Sequence, residues 1–298
     1  MQIEDLKVAF PTLNIETHVD LSAYTNTRVG GVADGIFWPA SKEELIAVVK
    51  YASEHDLPVL VLGNASNLII TDEGVRGLVI FLTHLTDITV TDTTITAAAG
   101  AAIIAVSEQA QREGLTGLEW AAGIPGSVGG AVYMNAGAYG GQVDGCLATA
   151  DILHPNGEIE TLTSDQLEFG YRHSVVQGTG DVILSATFEL VPGDHAKIRE
   201  TMEDFNERRA SKQPLEYPSC GSVFKRPEGH FAGKLIMDAG LQGFTIGGAQ
   251  VSRKHAGFIV NFNDATSADY VGVIHHVQKV VFEQTGISLE TEVRILGE

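Results

Sequence analysis

The sequence predicts an α+β protein: a small βα lobe, a mixed-sheet lobe and a C-terminal α+β unit, over residues 1–85, 86–200 and 201–298. Three observations predict it. A helical apolar stripe between short apolar runs fills the first part. Period-two alternation takes over from about Ile88. Helical periodicity returns after Gly193, in a segment that closes on a strand.

"SKEELIAVVKYASEHDLP" reads as a helix capped by Ser41, with Glu44 closing a capping box and Leu45, Val48, Val49 and Ala52 forming one apolar stripe. "PVLVLG" predicts a short buried strand, followed by the polar loop "NASNL", and "GLVIFL" predicts another strand. "ITVTDTTITAAAG" reads as a hairpin, and "AAIIAVSEQAQREG" as a helix ended by Gly114. "ATADILHP", "EIETLT" and "DVILSATFELV" predict strands of a mixed, mostly antiparallel sheet. "GDHAKIRETMEDFNERRASKQP" predicts a helix leading into the last unit, which has a short helix at "HFAGKLIMDAG" and a strand at "AGFIVNF". Its long helix, "TSADYVGVIHHVQKVVFEQTG", is expected to be capped by Thr266, striped by Val273, Val277 and Val280, and ended by Gly286. "ISLETEVRIL" reads as the last strand, whose alternation would put Glu290, Glu292 and Arg294 on one face.

Composition narrows the function. The net charge of −19 over 298 residues repels nucleic acid and anionic membranes. No apolar run reaches the roughly 18–20 residues of a membrane span, and the start, "MQIEDLKVAFPTL", does not read as a signal peptide. Two distant cysteines, Cys146 and Cys220, give neither a disulfide framework nor metal-ligand spacing, which suits a reducing cytoplasm. His275 and His276 are adjacent on a helix and face different directions, so they form no metal pair. Ten of the nineteen Lys and Arg fall between Lys197 and Lys254, where they suit either an anionic small ligand or a solvated basic helix face.

Three loops invite a ligand. "VLGNASNL" follows a strand, and its small residues Gly63, Asn64, Ala65, Ser66 and Asn67 leave backbone N–H groups within reach of a diphosphate, although small polar loops after strands are common. "AGIPGSVGGAVYMNAGAYGG" has seven glycines in twenty residues. Close approach to a flat or phosphorylated ligand explains them, as does a purely structural bend. "AYTNTRVGGVAD" sets Arg28 beside two glycines, as either an anion contact or a surface turn.

These stretches, with "FGYRHS", "RRASKQP", "CGSVFKRP", "AGKLI", "GGAQVSRKHAGFIVN" and "LETEVRILG", occur in an order that resembles the UDP-N-acetylenolpyruvoylglucosamine reductase (UDP-N-acetylmuramate dehydrogenase) family. The compact span between "AGAYGG" and "FGYRHS" resembles its shorter type II form. Asn26 stands where the family often has an aromatic, and Asn64 where it usually has Gly, which sets a side chain beside the expected diphosphate, at a residue type tolerant of left-handed backbone angles. The resemblance implies non-covalent FAD held by a two-lobed unit, a UDP-sugar held by the C-terminal α+β domain, and NADPH as hydride donor. The activity implied is reduction of the enolpyruvyl group to a lactyl ether in peptidoglycan precursor synthesis. A cytoplasmic monomer is expected.

Hydride attack on the enolpyruvyl methylene carbon pushes electrons toward the substrate carboxylate. The reaction therefore needs cationic or donor groups there, and an acid that protonates the neighbouring carbon. The resemblance makes Ser222 the proton donor and Glu292 and Arg172 its partners at the carboxylate and intermediate. From spacing alone Ser222 is a turn hydroxyl, Arg172 a surface side chain, and Glu292 with Arg294 a surface ion pair. Cys220 is the more reactive residue type, but nothing marks it as a lowered-pKa thiol. The resemblance further implies FAD contacts from Gly63, Asn64, Ala65, Ser66, Asn67, Ala122, Gly123, Pro125, Gly126, Ser127, Gly129 and Gly130, and substrate contacts from Tyr171, Lys212, Arg226 and Arg294. Lys225, Lys234 and His255 have no assigned role. Two other readings compete: a flavin-dependent alcohol or sugar oxidase, for which no His or Cys tethering motif stands out, and a nucleotide-binding regulator, which the presence of Ser222, Glu292 and Arg172 disfavours.

Overall fold

The computed structural model describes residues 3–297. Along the chain run α1 (Ile3–Ala9), β1 (Ile15–Asp20), β2 (Val32–Phe37), α2 (Lys42–Glu54), β3 (Val59–Leu62), β4 (Leu68–Ile70), β5 (Val75–Phe81), β6 (Ile88–Thr91), β7 (Thr94–Ala98) and α3 (Ile103–Arg112). Next come β8 (Leu115–Thr116), α4 (Val128–Tyr133), β9 (Gly137–Ala138), β10 (Gly141–Gln142), β11 (Leu147–Leu153), β12 (Ile159–Thr163), β13 (Val182–Glu189), β14 (Val191–Pro192) and α5 (His195–Lys212). The last are β15 (Ser219–Ser222), α6 (Ala232–Asp238), β16 (Thr245–Ile246), β17 (Ala249–Val251), β18 (Phe258–Asn261), α7 (Ser267–Thr285) and β19 (Arg294–Leu296). The chain forms two compact units. One comprises the residues through Thr17, Asp34–Asn64 and Gly77–Arg208; the other comprises His18–Ala33, Ala65–Arg76 and the residues from Arg209.

In the first unit, Ser41 accepts from the Glu44 N–H, and the Glu44 carboxylate reaches back to the Ala40 N–H at 2.8 Å. This capped start lets α2 lay Leu45, Val48, Val49 and Ala52 into the core. The strands order β1-β2-β5-β3, with β3 parallel to β5. β5 is buried through Leu78, Val79 and Ile80, but β3 is not the buried strand its apolar run predicts: it is an edge strand, and Val59 is 37% exposed. Hydropathy reports apolar character and not the number of neighbouring strands. The second sheet of this unit orders β12-β11-β13-β7-β6, and every pairing in it is antiparallel rather than mixed. Short turns join β6 to β7 and β11 to β12, and short turns permit only antiparallel pairing. α3 and α4 cover this sheet with Ile103, Val106, Val128, Ala131 and Val132, each buried.

The second unit has its own core. Antiparallel strands β15-β18-β17-β16 carry α6 and α7, and β19 pairs in parallel with β4. α7 starts on a full capping box between Thr266 and Asp269 and ends at Gly286, whose φ of 73° suits glycine. Its buried stripe is Tyr270, Val273, Ile274, Val277 and Val281; Val280, expected in the stripe, is half-buried at its flank. The last strand is shorter than its alternation predicts. Glu292 and Val293 form a bend, and the ladder begins only at Arg294. Glu290, Glu292 and Arg294 therefore do not share the face of one strand. The segment changes partner in mid-course, from Val223–Lys225, just after β15, to β4.

Candidate functional site

Period two would put Cys220 and Ser222 on the same face of β15. The structure separates them. Pairing with β18 shifts register between Ser219 and Ser222, and Gly221 takes a φ of 77° inside the shift. This bulge turns Cys220 into the core, 2% exposed, and leaves Ser222 exposed. Burial pushes the Cys220 thiol up to about 12, so it is no nucleophile at neutral pH.

The Val223 carbonyl, one residue on, accepts from the N–H groups of Glu292 and Val293 at 2.8 and 3.3 Å. Glu292 is thereby fixed beside the Ser222 strand. Asn67 holds the other side of the bend: its side-chain amide donates to the Glu292 carbonyl at 3.3 Å, and its own carbonyl accepts from the Arg294 N–H at 3.2 Å. Ser222, Glu292, Arg294 and Asn67 thus belong to one hydrogen-bonded frame. Lys212 and Arg226 attach elsewhere in this unit. Lys212 lies near His255, whose pKa is lowered first by burial and also by the Lys212 charge. The His255 Nδ1 accepts from the Gly257 N–H at 3.2 Å. The Arg226 guanidinium stacks over Phe231 at 3.9 Å and donates to the His230 carbonyl. Lys225 pairs with Glu290 at 3.4 Å, and Lys234 with Asp238 at 2.7 Å.

In the first unit, Arg172 sits in the tight Gly170–His173 turn with a φ of 56°. Its guanidinium donates to the carbonyls of Asn135 and Gly137 at 3.4 and 3.2 Å and lies 5.0 Å from the ring of exposed Tyr171. Asn135 is 1% exposed and supports this turn by donating to the Gly170 carbonyl. Asn135 and Gly221 escaped the sequence reading. Asn135 was visible only as one more small residue in the glycine-rich stretch, and Gly221 only as spacing inside "CGS".

The two glycine-rich loops are less uniform than their sequences suggest. The N–H groups of Ala122, Gly126, Gly129 and Gly130 bond within the protein, to Glu119, Ile124, Ala99 and Ser127. A Cβ on Gly129 would stand 2.9 Å from that of Ala99, so its glycine serves helix-on-strand packing. Among the described residues, the N–H groups of Gly63, Asn64, Gly123 and Ser127 in this unit, and those of Ala65, Ser66 and Asn67 in the other, make no hydrogen bond within the protein. Left-handed geometry falls on Ala65, with a φ of 45°, and not on Asn64. Asn64 instead donates its side-chain amide to the Pro125 carbonyl at 2.8 Å. A diphosphate needs unbonded N–H groups, and those of Gly63, Gly123 and Ser127 are unbonded within the protein among the described residues. The loops therefore fit FAD, with fewer donors than the sequence suggests.

The comparisons with known proteins bear on both parts of the chain. Residues 33–163 match a model described as FAD binding domain, which makes the class that of FAD-dependent flavoproteins. Residues 213–296 match the C-terminal domain of UDP-N-acetylenolpyruvoylglucosamine reductase. Reductases of that name from Pediococcus pentosaceus and Levilactobacillus brevis are 57% and 55% identical over 298 residues, covering all of this chain and 99% and 98% of theirs. The crystal structure of the Thermus caldophilus reductase superimposes with a TM-score of 0.83 at 33% identity, covering 95% of this chain and 99% of that one. The chain belongs to the UDP-N-acetylenolpyruvoylglucosamine reductase family.

Proposed function

We propose that Ser222 is the proton donor, and Glu292 and Arg172 the electrostatic partners, of the reduction this family performs. The protein is an FAD-dependent reductase that uses NADPH to convert UDP-N-acetylglucosamine enolpyruvate to UDP-N-acetylmuramate for peptidoglycan. Bound there, FAD would supply the hydride-transfer chemistry between NADPH and the enolpyruvyl group. The N–H groups of Gly63, Asn64, Gly123 and Ser127 are the groups we assign to hold its diphosphate. Arg172, in a turn pinned by Asn135, supplies a fixed cation for charge developing on the substrate carboxylate. Glu292, fixed through its backbone to Val223, acts at the same intermediate. Ser222 gives its hydroxyl proton to the carbon next to the carboxylate; an enol-type carbanion is basic enough to take it. Lys212, Arg226, Arg294 and Tyr171 are assigned to the UDP-sugar.

The observation that carries the Ser222 assignment is the Gly221 bulge, which exposes this hydroxyl beside the Glu292 bend while burying the neighbouring thiol. Ser222→Ala is expected to leave anaerobic bleaching of the flavin by NADPH nearly unchanged. Recovery of the colour on adding UDP-N-acetylglucosamine enolpyruvate should slow by roughly three orders of magnitude, within the span of general-acid contributions. Two normal half-reactions in that variant would remove Ser222 from the mechanism. We further assign residues 1–85 and 86–200 to FAD and 201–298 to the UDP-sugar, in a cytoplasmic monomer. Among the described residues no helix is long and apolar enough to cross a membrane.

A further inference from the structure

The loops after β3 and before α4 touch twice, 61 residues apart in sequence at the closer-bonded pair. Asn64 donates its side-chain amide to the Pro125 carbonyl at 2.8 Å. At the preceding residue, a Cβ built on Gly63 would fall 1.9 Å from the Ser127 hydroxyl, so only glycine leaves room there for the Ser127 side chain. Within the first unit, among the described residues, two N–H groups on each loop make no hydrogen bond to the protein: Gly63 and Asn64 on one, Gly123 and Ser127 on the other. Ser127 is itself held, since its hydroxyl accepts from Gly130 and its neighbours Gly126 and Val128 bond to Ile103 and Ala101. The loop bearing Pro125 is thus anchored to the fold. The Asn64 side chain is the hydrogen bond that ties the other loop to it.

We propose that Asn64 is a positioning residue for the cofactor: its bond to the Pro125 carbonyl registers the two loops so that their four unbonded N–H groups converge on one diphosphate. The inference rests on the assignment of these loops to FAD. Without the clamp, the Gly63–Asn64 segment samples orientations in which its N–H groups point to water, and ordering them is charged against binding. Asn64 is exposed, so truncating it leaves no cavity and removes little but this bond. A diphosphate should feel the loss, and a flavin ring should not.

The test uses the full chain freed of flavin, with FAD and riboflavin as probes, because riboflavin has the ring system without the diphosphate. Asn64→Ala is expected to weaken FAD about tenfold, mainly through faster release, and to change riboflavin affinity less than about twofold. Asn64→Gln, which keeps an amide donor on a longer arm, should recover part of the loss. Amide hydrogen exchange at Gly63 and Asn64 should rise in the flavin-free Ala variant while that at Gly123 and Ser127, and the melting temperature, stay put. An unchanged FAD affinity in Asn64→Ala would overturn the proposal, as would equal weakening of FAD and riboflavin, which marks a general structural role. Equal affinities of the unaltered chain for FAD and riboflavin would overturn the diphosphate assignment beneath it.

Discussion

Cys220 and Ser222 differ in fate because of the residue between them. Gly221 holds a φ of 77°, and nothing lies within 4 Å of where its Cβ would be. Gly221→Ala therefore meets no clash, and its cost is backbone strain alone, about 1–2 kcal/mol. If the strand relaxes that strain by losing its bulge, Ser222 turns toward the core and the enolpyruvyl half-reaction fails with it. Denaturant titration and single-turnover kinetics on Gly221→Ala check both parts: a modest loss of stability with a large loss of flavin reoxidation is expected. The motif "CGSVF" was legible as a match to a family, but the reason for its glycine was not. Left-handed geometry is a property of the pairing with β18, which no single strand encodes.

Helices were read closely from their caps, strands less so. Ser41, Thr266 and Gly286 occupy the terminal positions their residue types predict, because capping is a local bond between neighbours in sequence. β3 and β19 departed from expectation, because exposure and partner exchange depend on strands far away. α7 offers the direct check. Thr266→Ala should destabilise the chain by about 1 kcal/mol, measured by urea titration. The Asp269 carboxyl is held below its usual range first by the Thr266 backbone N–H and also by that of Gly248. A lowered folded pKa contributes stability above the ordinary aspartate pKa, and that stability is lost as pH falls through the folded value. Stability curves of the unaltered chain and Asp269→Asn should therefore converge as the pH drops below the ordinary aspartate range. A gap of constant size would assign the effect to shape instead of charge.

Over the whole chain, a net charge of −19 makes self-repulsion a term in stability. Salt shortens the reach of that repulsion to about 10 Å at 0.1 M. Raising sodium chloride from low to physiological ionic strength should lift the melting temperature of the chain by a few degrees, read by circular dichroism. A flat response would mean that local ion pairs, such as Arg208 with Asp204, already offset the excess. Each of the two units has its own buried core, one around Phe37, Leu78 and Phe188 and one around Tyr270, Val273 and Ile259. Their membership follows contact and not chain order, since each unit gathers three separate segments.

The amino-acid order was enough to point to the family, the flavin class, and the helices α2, α3, α5, α6 and α7, and to propose a short list of residues for the chemistry. These follow from local bonds, from periodicity and from motif wording, all of which survive reading along one dimension. It could not tell that Gly129 serves packing against Ala99, that Ala65 and not Asn64 carries the left-handed turn, or that Glu292 is held by Val223 and Asn67. Those facts depend on which distant segments lie within a few ångströms of one another. Close packing fixes that, and only in three dimensions.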